Sequence, residues 1–154
     1  MKHYTDLVAE CLSTVDELFP WDLEEKLTNT PDLLLVDVRE PYEFAAMHID
    51  GAINVPRGVL ESACEWDYEE TVPELAAGRE REVVVICRSG YRSVLAAHTM
   101  QRMGFKHVYS LKTGMRGWFE FEQPMLDGNN NPVDEDTGED YFTTKLRPEQ
   151  RKPS

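Results

Sequence analysis

The sequence predicts an α/β fold with a mostly parallel sheet, because strand-like and helix-like segments alternate along the chain. Two apolar runs, residues 32–38 and 82–87, are too short for buried helices and predict buried strands. Shorter strand patterns occupy residues 51–56 and 107–111. In sheets of this kind, ligands bind beyond the carboxyl ends of the strands. The fold class therefore directs attention to the residues that follow each strand.

The helix patterns begin at the N-terminus, where Leu7, Cys11, Val15 and Leu18 recur at helical spacing and predict one helix that reaches Leu18. Pro20 fits the first turn of a second helix. Further helical patterns follow at residues 40–49, 57–78, 92–104 and 114–123. Together these segments can cover both faces of the sheet.

Composition divides the chain into three parts. We expect residues 1–17 to form an N-terminal helical extension and residues 18–124 to form the α/β domain. Residues 125–154 read as a polar, acidic tail, because residues 127–140 hold six acidic side chains and no basic ones. We expect this tail to be disordered or draped over the domain.

The overall charge restricts the partners that the protein can take. A chain of 154 residues with a formal net charge of −13 suits one domain with an acidic surface. That charge argues against nucleic acid and against an anionic membrane surface, since both favour excess Lys and Arg. No signal peptide and no membrane span is apparent, so we expect a cytoplasmic protein. Its oligomeric state is left open.

The cysteines and histidines predict neither disulfides nor a metal site. Three cysteines without a close pair do not form a disulfide framework and fit a reducing compartment. The four histidines show no metal-ligand spacing with them, so no metal or other cofactor is predicted. We interpret Cys11 as part of an apolar helix face and Cys64 as a bystander.

Cys87 differs, because it stands where an apolar strand ends and a helix begins. The first turn of a helix leaves amides unpaired, and the helix dipole adds roughly half a positive charge. Gly90 allows the backbone to turn there. The loop also supplies two permanent cations and two hydroxyl donors, namely Arg88, Arg92, Ser89 and Ser93. The sequence therefore predicts an oxyanion site that stabilises an anionic sulfur on Cys87.

Three ordered motifs resemble the signatures of the rhodanese family. Residues 33–58 resemble its first signature, a strand ending in Asp-Val-Arg and a later His-Ile-x-Gly-Ala-Ile-Asn-x-Pro. Residues 83–93 resemble its active-site loop, and residues 111–118 resemble its closing Gly-x-x-x-Trp segment. The resemblance covers residues 18–123 and implies a rhodanese-like three-layer fold, with a mostly parallel five-stranded sheet flanked by helices.

The resemblance also implies a thiosulfate sulfurtransferase. In the family, a donor such as thiosulfate passes its outer sulfur to a cysteine, and a thiophilic acceptor such as cyanide or a thiol removes it from the persulfide. By position, Cys87 is the nucleophile. The amides expected to cradle the persulfide belong to Arg88, Ser89, Gly90, Tyr91, Arg92 and Ser93. Small sulfur donors and acceptors are the expected partners, and a protein persulfide can take either role.

Other residues of the motifs are given supporting roles by the resemblance. Arg88 and Arg92 are candidates to hold the donor's sulfonate. We expect Asp37, Arg39 and Arg57 to shape the cleft rather than react.

One residue departs from the family pattern. Met47 stands where the family usually has Gly, and a methionine is costly at that position if the backbone there has a positive φ.

Two alternative functions stay open. A non-catalytic rhodanese-like module would bind or regulate a partner. A cysteine-dependent phosphatase or arsenate reductase also surrounds an anion with a cysteine, an arginine and a helix start. Such phosphatases use a C-x5-R loop, whereas Cys87 to Arg92 is a C-x4-R loop. The shorter loop fits a sulfur atom better than a tetrahedral phosphate.

Overall fold

The computed structural model describes residues 1–154, and its centre is one sheet of five parallel strands. The strands lie in the order β1-β5-β4-β2-β3. They are β1 (Asp16–Leu18), β2 (Leu34–Asp37), β3 (Ile53–Asn54), β4 (Glu82–Ile86) and β5 (His107–Leu111). All four neighbouring pairs are parallel, which confirms the predicted α/β class.

Eight α-helices surround this sheet. They are α1 (Tyr4–Cys11), α2 (Pro20–Asn29), α3 (Pro41–Ala46), α4 (Leu60–Ala63), α5 (Pro73–Ala76), α6 (Arg92–Arg102), α7 (Gly114–Glu120) and α8 (Glu135–Phe142). Two short 3₁₀ helices lie at Arg57–Val59 and Pro148–Gln150. No helix combines the length and the apolar composition that crossing a membrane requires.

The central strand β4 divides the core into two layers, because side chains of a strand alternate between its faces. Val83 and Val85 pack in a cluster with residues of α1, α4, α5 and α6. Val84 and Ile86 pack in a second cluster with residues of α2, α7 and α8. The continuous apolar run of β4 is therefore explained by burial on both faces.

The prediction of one long N-terminal helix is wrong beyond Cys11. Helix α1 ends there, and Asp16–Leu18 forms the edge strand β1 along β5. Val15 and Leu18 do fall at helical spacing, but the open edge of β5 supplies a hydrogen-bond ladder that no local pattern reveals. Helix α1 still packs on the domain, where Val8 is buried in the core layer that contains α6.

The C-terminal segment packs on the second layer as far as Phe142. Met125 and Phe142 are both buried there. Helix α8 is capped by Asp134, whose carboxylate accepts a hydrogen bond from the Thr137 amide at 2.7 Å. Residues Glu135–Phe142 thus form a short helix, in which Gly138 and Phe142 are buried.

Candidate active site

Cys87 follows the last residue of β4, so its side chain lies at the carboxyl edge of the sheet. The residue is 1% exposed. Its sulfur accepts a hydrogen bond from the Gly90 amide at 3.1 Å and lies 3.3 Å from Ser93 Oγ. Ser93 Oγ in turn lies 2.7 Å from Ser110 Oγ, a hydroxyl on β5. The buried sulfur therefore has two polar neighbours, an amide that donates to it and a serine hydroxyl.

The loop from Cys87 to the start of α6 carries backbone amides that no protein group uses. The Gly90 amide donates to the sulfur, whereas the amides of the two residues before it and the three residues after it have no acceptor in the protein. These amides belong to Arg88, Ser89, Tyr91, Arg92 and Ser93. Unpaired amides at the start of a helix are groups that bind anions.

Helix α7 holds the loop from the opposite side. The amides of Met115 and Arg116 donate to the carbonyls of Cys87 and Arg88 at 2.8 and 3.0 Å. Because the carbonyl and the N–H of one peptide unit point in opposite directions, these bonds turn the two following loop amides away from α7. A Cβ on Gly114 would lie 2.5 Å from the Cys87 carbonyl oxygen, so this approach requires glycine.

Gly90 is required by the loop's own conformation. Its φ is +99°, in the region that side chains disfavour, and a Cβ would lie 2.9 Å from the Thr113 amide nitrogen. The loop reaches this glycine with the Gly90 amide directed at the Cys87 sulfur. Gly90 of the loop motif and Gly114 of the closing motif are therefore both needed for the close approach between the loop and the start of α7.

Arg92 starts α6 and forms a two-bond ion pair with Glu43 of α3, with both N–O distances at 2.9 Å. Burial raises the pKa of Glu43, but hydrogen bonds from Arg92 and the Glu40 amide outweigh it, so its pKa is lowered. The hydrogen bond to Glu43 raises the pKa of Arg92, and a negative charge on Cys87 raises it further. Arg92 therefore stays cationic close to the sulfur, and its sulfonate-binding role stays a prediction.

Arg88 points its guanidinium toward the C-terminal segment. Its Nη2 donates to the Tyr141 carbonyl at 2.9 Å. The guanidinium carbon lies 5.0 and 5.4 Å from the ring centroids of Tyr141 and Phe142. The structure thus gives this side chain three contacts with α8, and its sulfonate-binding role also stays a prediction.

Asp37 and Arg39 form an ion pair with no solvent exposure, in which Arg39 Nη2 lies 2.8 Å from Asp37 Oδ2. The same Nη2 donates to the Met47 carbonyl at 2.7 Å. Asn54 Nδ2 donates to the carbonyls of both members of the pair at 3.0 Å. The pair therefore braces the chain between β2 and β3 from inside the core.

Met47 and Arg57 are the two remaining residues of the first motif. Met47 has an extended backbone, with φ −168°, and a buried side chain, so methionine is unstrained there. Arg57 donates to Glu61 at 2.9 Å and to Thr99 of α6 at 3.2 Å. The structure thus joins Arg57 to α4 and α6 by these bonds, and its cleft-shaping role remains a prediction.

Sequence reasoning did not identify the contribution of α1 to the site. The Tyr4 ring meets the Tyr91 ring edge-on, with centroids 5.5 Å apart. Val8 and Leu12 line a cleft of about 480 Å³ together with Gly90 and Tyr91. Burial raises the pKa of Tyr4, and a negative charge on Cys87 raises it further. Because α1 lies outside the three motifs, no sequence signal linked it to the loop.

Ser110 and Glu43 were also not identified. Ser110 occupies an ordinary inward-facing strand position, and nothing in the sequence shows that it meets Ser93. Glu43 lies inside the first signature, and a buried acid there could have indicated a partner for a loop arginine.

The other two cysteines are placed away from this chemistry. Cys64 is fully buried, and burial raises its pKa to about 11. Burial also raises the pKa of Cys11. All three cysteines are unpaired, and no group of three metal-ligating side chains comes together.

The family resemblance is confirmed by comparison with known proteins. The model of the rhodanese-like domain family matches residues 20–121 of the chain. The five-stranded parallel sheet and the cysteine loop at its carboxyl edge fit that match. The chain therefore belongs to the rhodanese-like family, whose related members include sulfurtransferases.

Two relatives illustrate the range of the family. A Bacillus subtilis protein named "Putative sulfur carrier protein YrkF" is 34% identical over 110 residues, which are 71% of this chain and 54% of that protein. A Schizosaccharomyces pombe protein named "Putative thiosulfate sulfurtransferase, mitochondrial" is 32% identical over 125 residues, which are 79% of this chain and 86% of that protein. This chain thus spans about half of the first relative and most of the second.

A solved structure extends the likeness beyond the family match. A Rhodopseudomonas palustris protein of unknown function, described as a possible tyrosine phosphatase, superposes with a TM-score of 0.74 at 27% identity. The superposition covers 81% of this chain and 95% of that one.

Proposed function

We propose that this protein is a thiosulfate sulfurtransferase that carries sulfur as a persulfide on Cys87. The observation that carries the proposal is the Gly90 amide donating to the Cys87 sulfur inside a loop whose five other amides have no protein acceptor. Such donors stabilise an anion at one place without rearrangement. The name of the yeast relative supports thiosulfate as a donor.

The proposed reaction has two displacement steps. The Cys87 thiolate attacks the outer sulfur of thiosulfate, a new S–S bond forms, and the old S–S bond breaks as sulfite leaves with its electron pair. The resulting persulfide anion lies among the loop amides, which offset its charge. A nucleophilic acceptor, cyanide or a thiolate, then attacks the outer sulfur. Thiocyanate or a new persulfide leaves, and the Cys87 thiolate is restored.

The sulfur environment supports this assignment of roles. The Ser93 and Ser110 hydroxyls form a short chain from the sulfur to β5, so the sulfur has polar neighbours on the protein side. Arg92 supplies a permanent positive charge beside it. A protein persulfide is the alternative donor, because the loop amides recognise the anionic sulfur rather than the rest of the donor.

A phosphatase activity is the second candidate, because the Rhodopseudomonas palustris structure is described as a possible tyrosine phosphatase. Against it, the loop from Cys87 to Arg92 is one residue shorter than a C-x5-R loop. The Arg92 guanidinium is also already engaged by Glu43 through two bonds. Both features favour a sulfur anion over a phosphate.

The deciding experiment runs two assays on the same preparations. Thiocyanate formation from thiosulfate and cyanide is measured beside the hydrolysis of an aryl phosphate, for the native chain, Cys87→Ala and Cys64→Ala. We expect thiocyanate formation by the native chain and Cys64→Ala and its loss in Cys87→Ala. Hydrolysis of the phosphate that depends on Cys87, without thiocyanate formation, would reverse the assignment. Neither activity, in a folded protein, would favour a binding module.

A further inference from the structure

Arg88 is the residue next to the proposed nucleophile, and its side chain is held by the C-terminal helix α8. The guanidinium donates to the Tyr141 carbonyl at 2.9 Å. It also lies over the rings of Tyr141 and Phe142. A carbonyl in the last turn of a helix carries the negative end of the helix dipole, and aromatic faces attract guanidinium groups. Three favourable contacts therefore draw this cation toward α8.

Helix α8 is packed against the core of the domain, which fixes the position of its contacts with Arg88. Phe142 is 4% exposed and belongs to the second core layer. Its ring centroid lies 5.6 Å from that of Phe119 on α7. Gly138 comes so close to Phe119 that a Cβ would lie 2.4 Å from the ring. A side chain at position 138 would therefore force the Phe119 ring or α8 to shift.

The contacts with α8 change the charge that the loop offers to a donor. Arg92 shares its charge with Glu43 through two hydrogen bonds, and Arg88 is bound to α8. Both guanidinium groups of the loop are therefore engaged by protein groups, and a donor's sulfonate must compete with those contacts. The loop amides alone suffice for an anionic sulfur, but a small dianion gains from a full positive charge beside it.

We propose that α8 determines which donors the Cys87 loop accepts, because Tyr141 and Phe142 withhold the Arg88 guanidinium from small dianionic donors. This proposal rests on the sulfurtransferase function proposed above. While α8 is seated, the loop still accepts thiosulfate, but more slowly than it would with a free Arg88, and donors of lower charge lose less. Once α8 is lifted, Arg88 is free to pair with a sulfonate.

The test compares two alkylating reagents that differ by one negative charge. Cys87 is alkylated with iodoacetate or iodoacetamide, and the rate at this residue is followed by peptide mass spectrometry. In Gly138→Ala and in Phe142→Ala, we expect the ratio of the iodoacetate rate to the iodoacetamide rate to rise about threefold or more, because one cation is released near the sulfur. Gly58→Ala is the matched control, because a Cβ there meets no atom within 4 Å.

Adding Arg88→Gln identifies the cation that is released. We expect this substitution to reverse the rise in the Gly138→Ala background and to change the ratio by a smaller factor in the otherwise native chain. The rate of persulfide formation from thiosulfate should rise in Gly138→Ala in the same way. Gly138→Ala retains the Phe142 side chain, so it serves if Phe142→Ala fails to fold.

The outcomes separate this proposal from the function on which it rests. If both reagents change equally in the variants, α8 is only a structural support for the loop and the proposal is wrong. If the ratio rises but Arg88→Gln does not reverse it, Arg88 is not the cation involved and the proposal is equally wrong. If the ratio is unchanged while Cys87 still gains sulfur, the proposal that α8 selects donors is wrong and the proposed sulfur transfer is unaffected. A Cys87 that neither gains sulfur nor reacts with either reagent contradicts both proposals.

Discussion

The backbone amide of Gly90 donates a hydrogen bond to the sulfur of Cys87, with nitrogen and sulfur 3.1 Å apart. The two residues are separated by only two positions, so the chain must reverse sharply between them. Gly90 itself has a positive φ, which sets the path of the chain from this reversal toward α6. The hydrogen bond to the sulfur therefore depends on the loop conformation, so a backbone change at Gly90 should affect both.

Gly90→Ala tests this dependence. We expect a loss of about 1–2 kcal/mol in the free energy of unfolding, because alanine is disfavoured at a φ of +99° and its Cβ would meet Thr113. We also expect slower persulfide formation, since the amide turns away from the sulfur. Chemical denaturation and the rate of sulfur uptake from thiosulfate measure the two effects. Native stability together with a native rate would contradict the role assigned to Gly90.

The ion pair between Glu43 and Arg92 should make stability depend on pH. The pKa of Glu43 is lowered from its ordinary value of 4.5, so its stabilising contribution is present above about pH 4.5 and is lost as the pH falls through the lower folded pKa. Glu43→Gln should therefore be less stable than the native chain at pH 7. The difference between the two should shrink as the pH falls below about 4.5.

Denaturant unfolding at several pH values measures this difference. Glu120→Gln is the control, because Glu120 forms an exposed pair with Arg116 and contributes little. A gap between Glu43→Gln and the native chain that stays constant from pH 7 to below pH 4 would show that the carboxylate charge is not what stabilises this contact.

Arg39→Met should be among the most destabilising single changes in the chain. It leaves the Asp37 carboxylate buried without its partner, which costs about 3–5 kcal/mol for pairs of this kind. Arg116→Met breaks an exposed pair instead and should cost less than about 1 kcal/mol. Thermal or denaturant unfolding compares the two. Similar losses in both variants would contradict a bracing role for the buried pair.

The three thiols should differ in reactivity. Burial raises the pKa of Cys64 to about 11, so only about one Cys64 thiol in a thousand is ionised at pH 8. We expect iodoacetamide at pH 8 to label Cys87 before Cys64, and Cys64 to react fully only after unfolding. Peptide mass spectrometry over time gives the order. Faster labelling of Cys64 than of Cys87 would contradict the assignment of the reactive thiol.

The fold could be predicted well where pattern and environment agree. The apolar runs of β2 and β4 are buried on both faces, as continuous hydrophobic strands should be. By contrast, residues 16–18 satisfy a helical pattern and form an edge strand, because their partner lies about 90 residues later in the chain. Pairing over such distances depends on tertiary structure, which a local pattern does not contain.

The backbone of the candidate site could be predicted from the sequence, but the partners of its side chains could not. The motif around Cys87 indicated the loop and the start of a helix, and both are present. The partners of Arg92 and Arg88 come from α3 and α8, which the sequence places 49 and 53 positions away. The acidic residues before Tyr141 indicated a tail that is disordered or draped over the domain, whereas the two aromatic residues that follow them were the signal of a packed helix.

The most direct measurement is the intact mass of the protein after treatment with thiosulfate and removal of excess reagent. A persulfide on Cys87 adds one sulfur, about 32 Da. We expect this gain in the native chain and in Cys64→Ser, its reversal by cyanide, and its absence in a folded Cys87→Ser protein. An unchanged mass of the native chain, or a gain that persists in Cys87→Ser, would contradict sulfur transfer through Cys87.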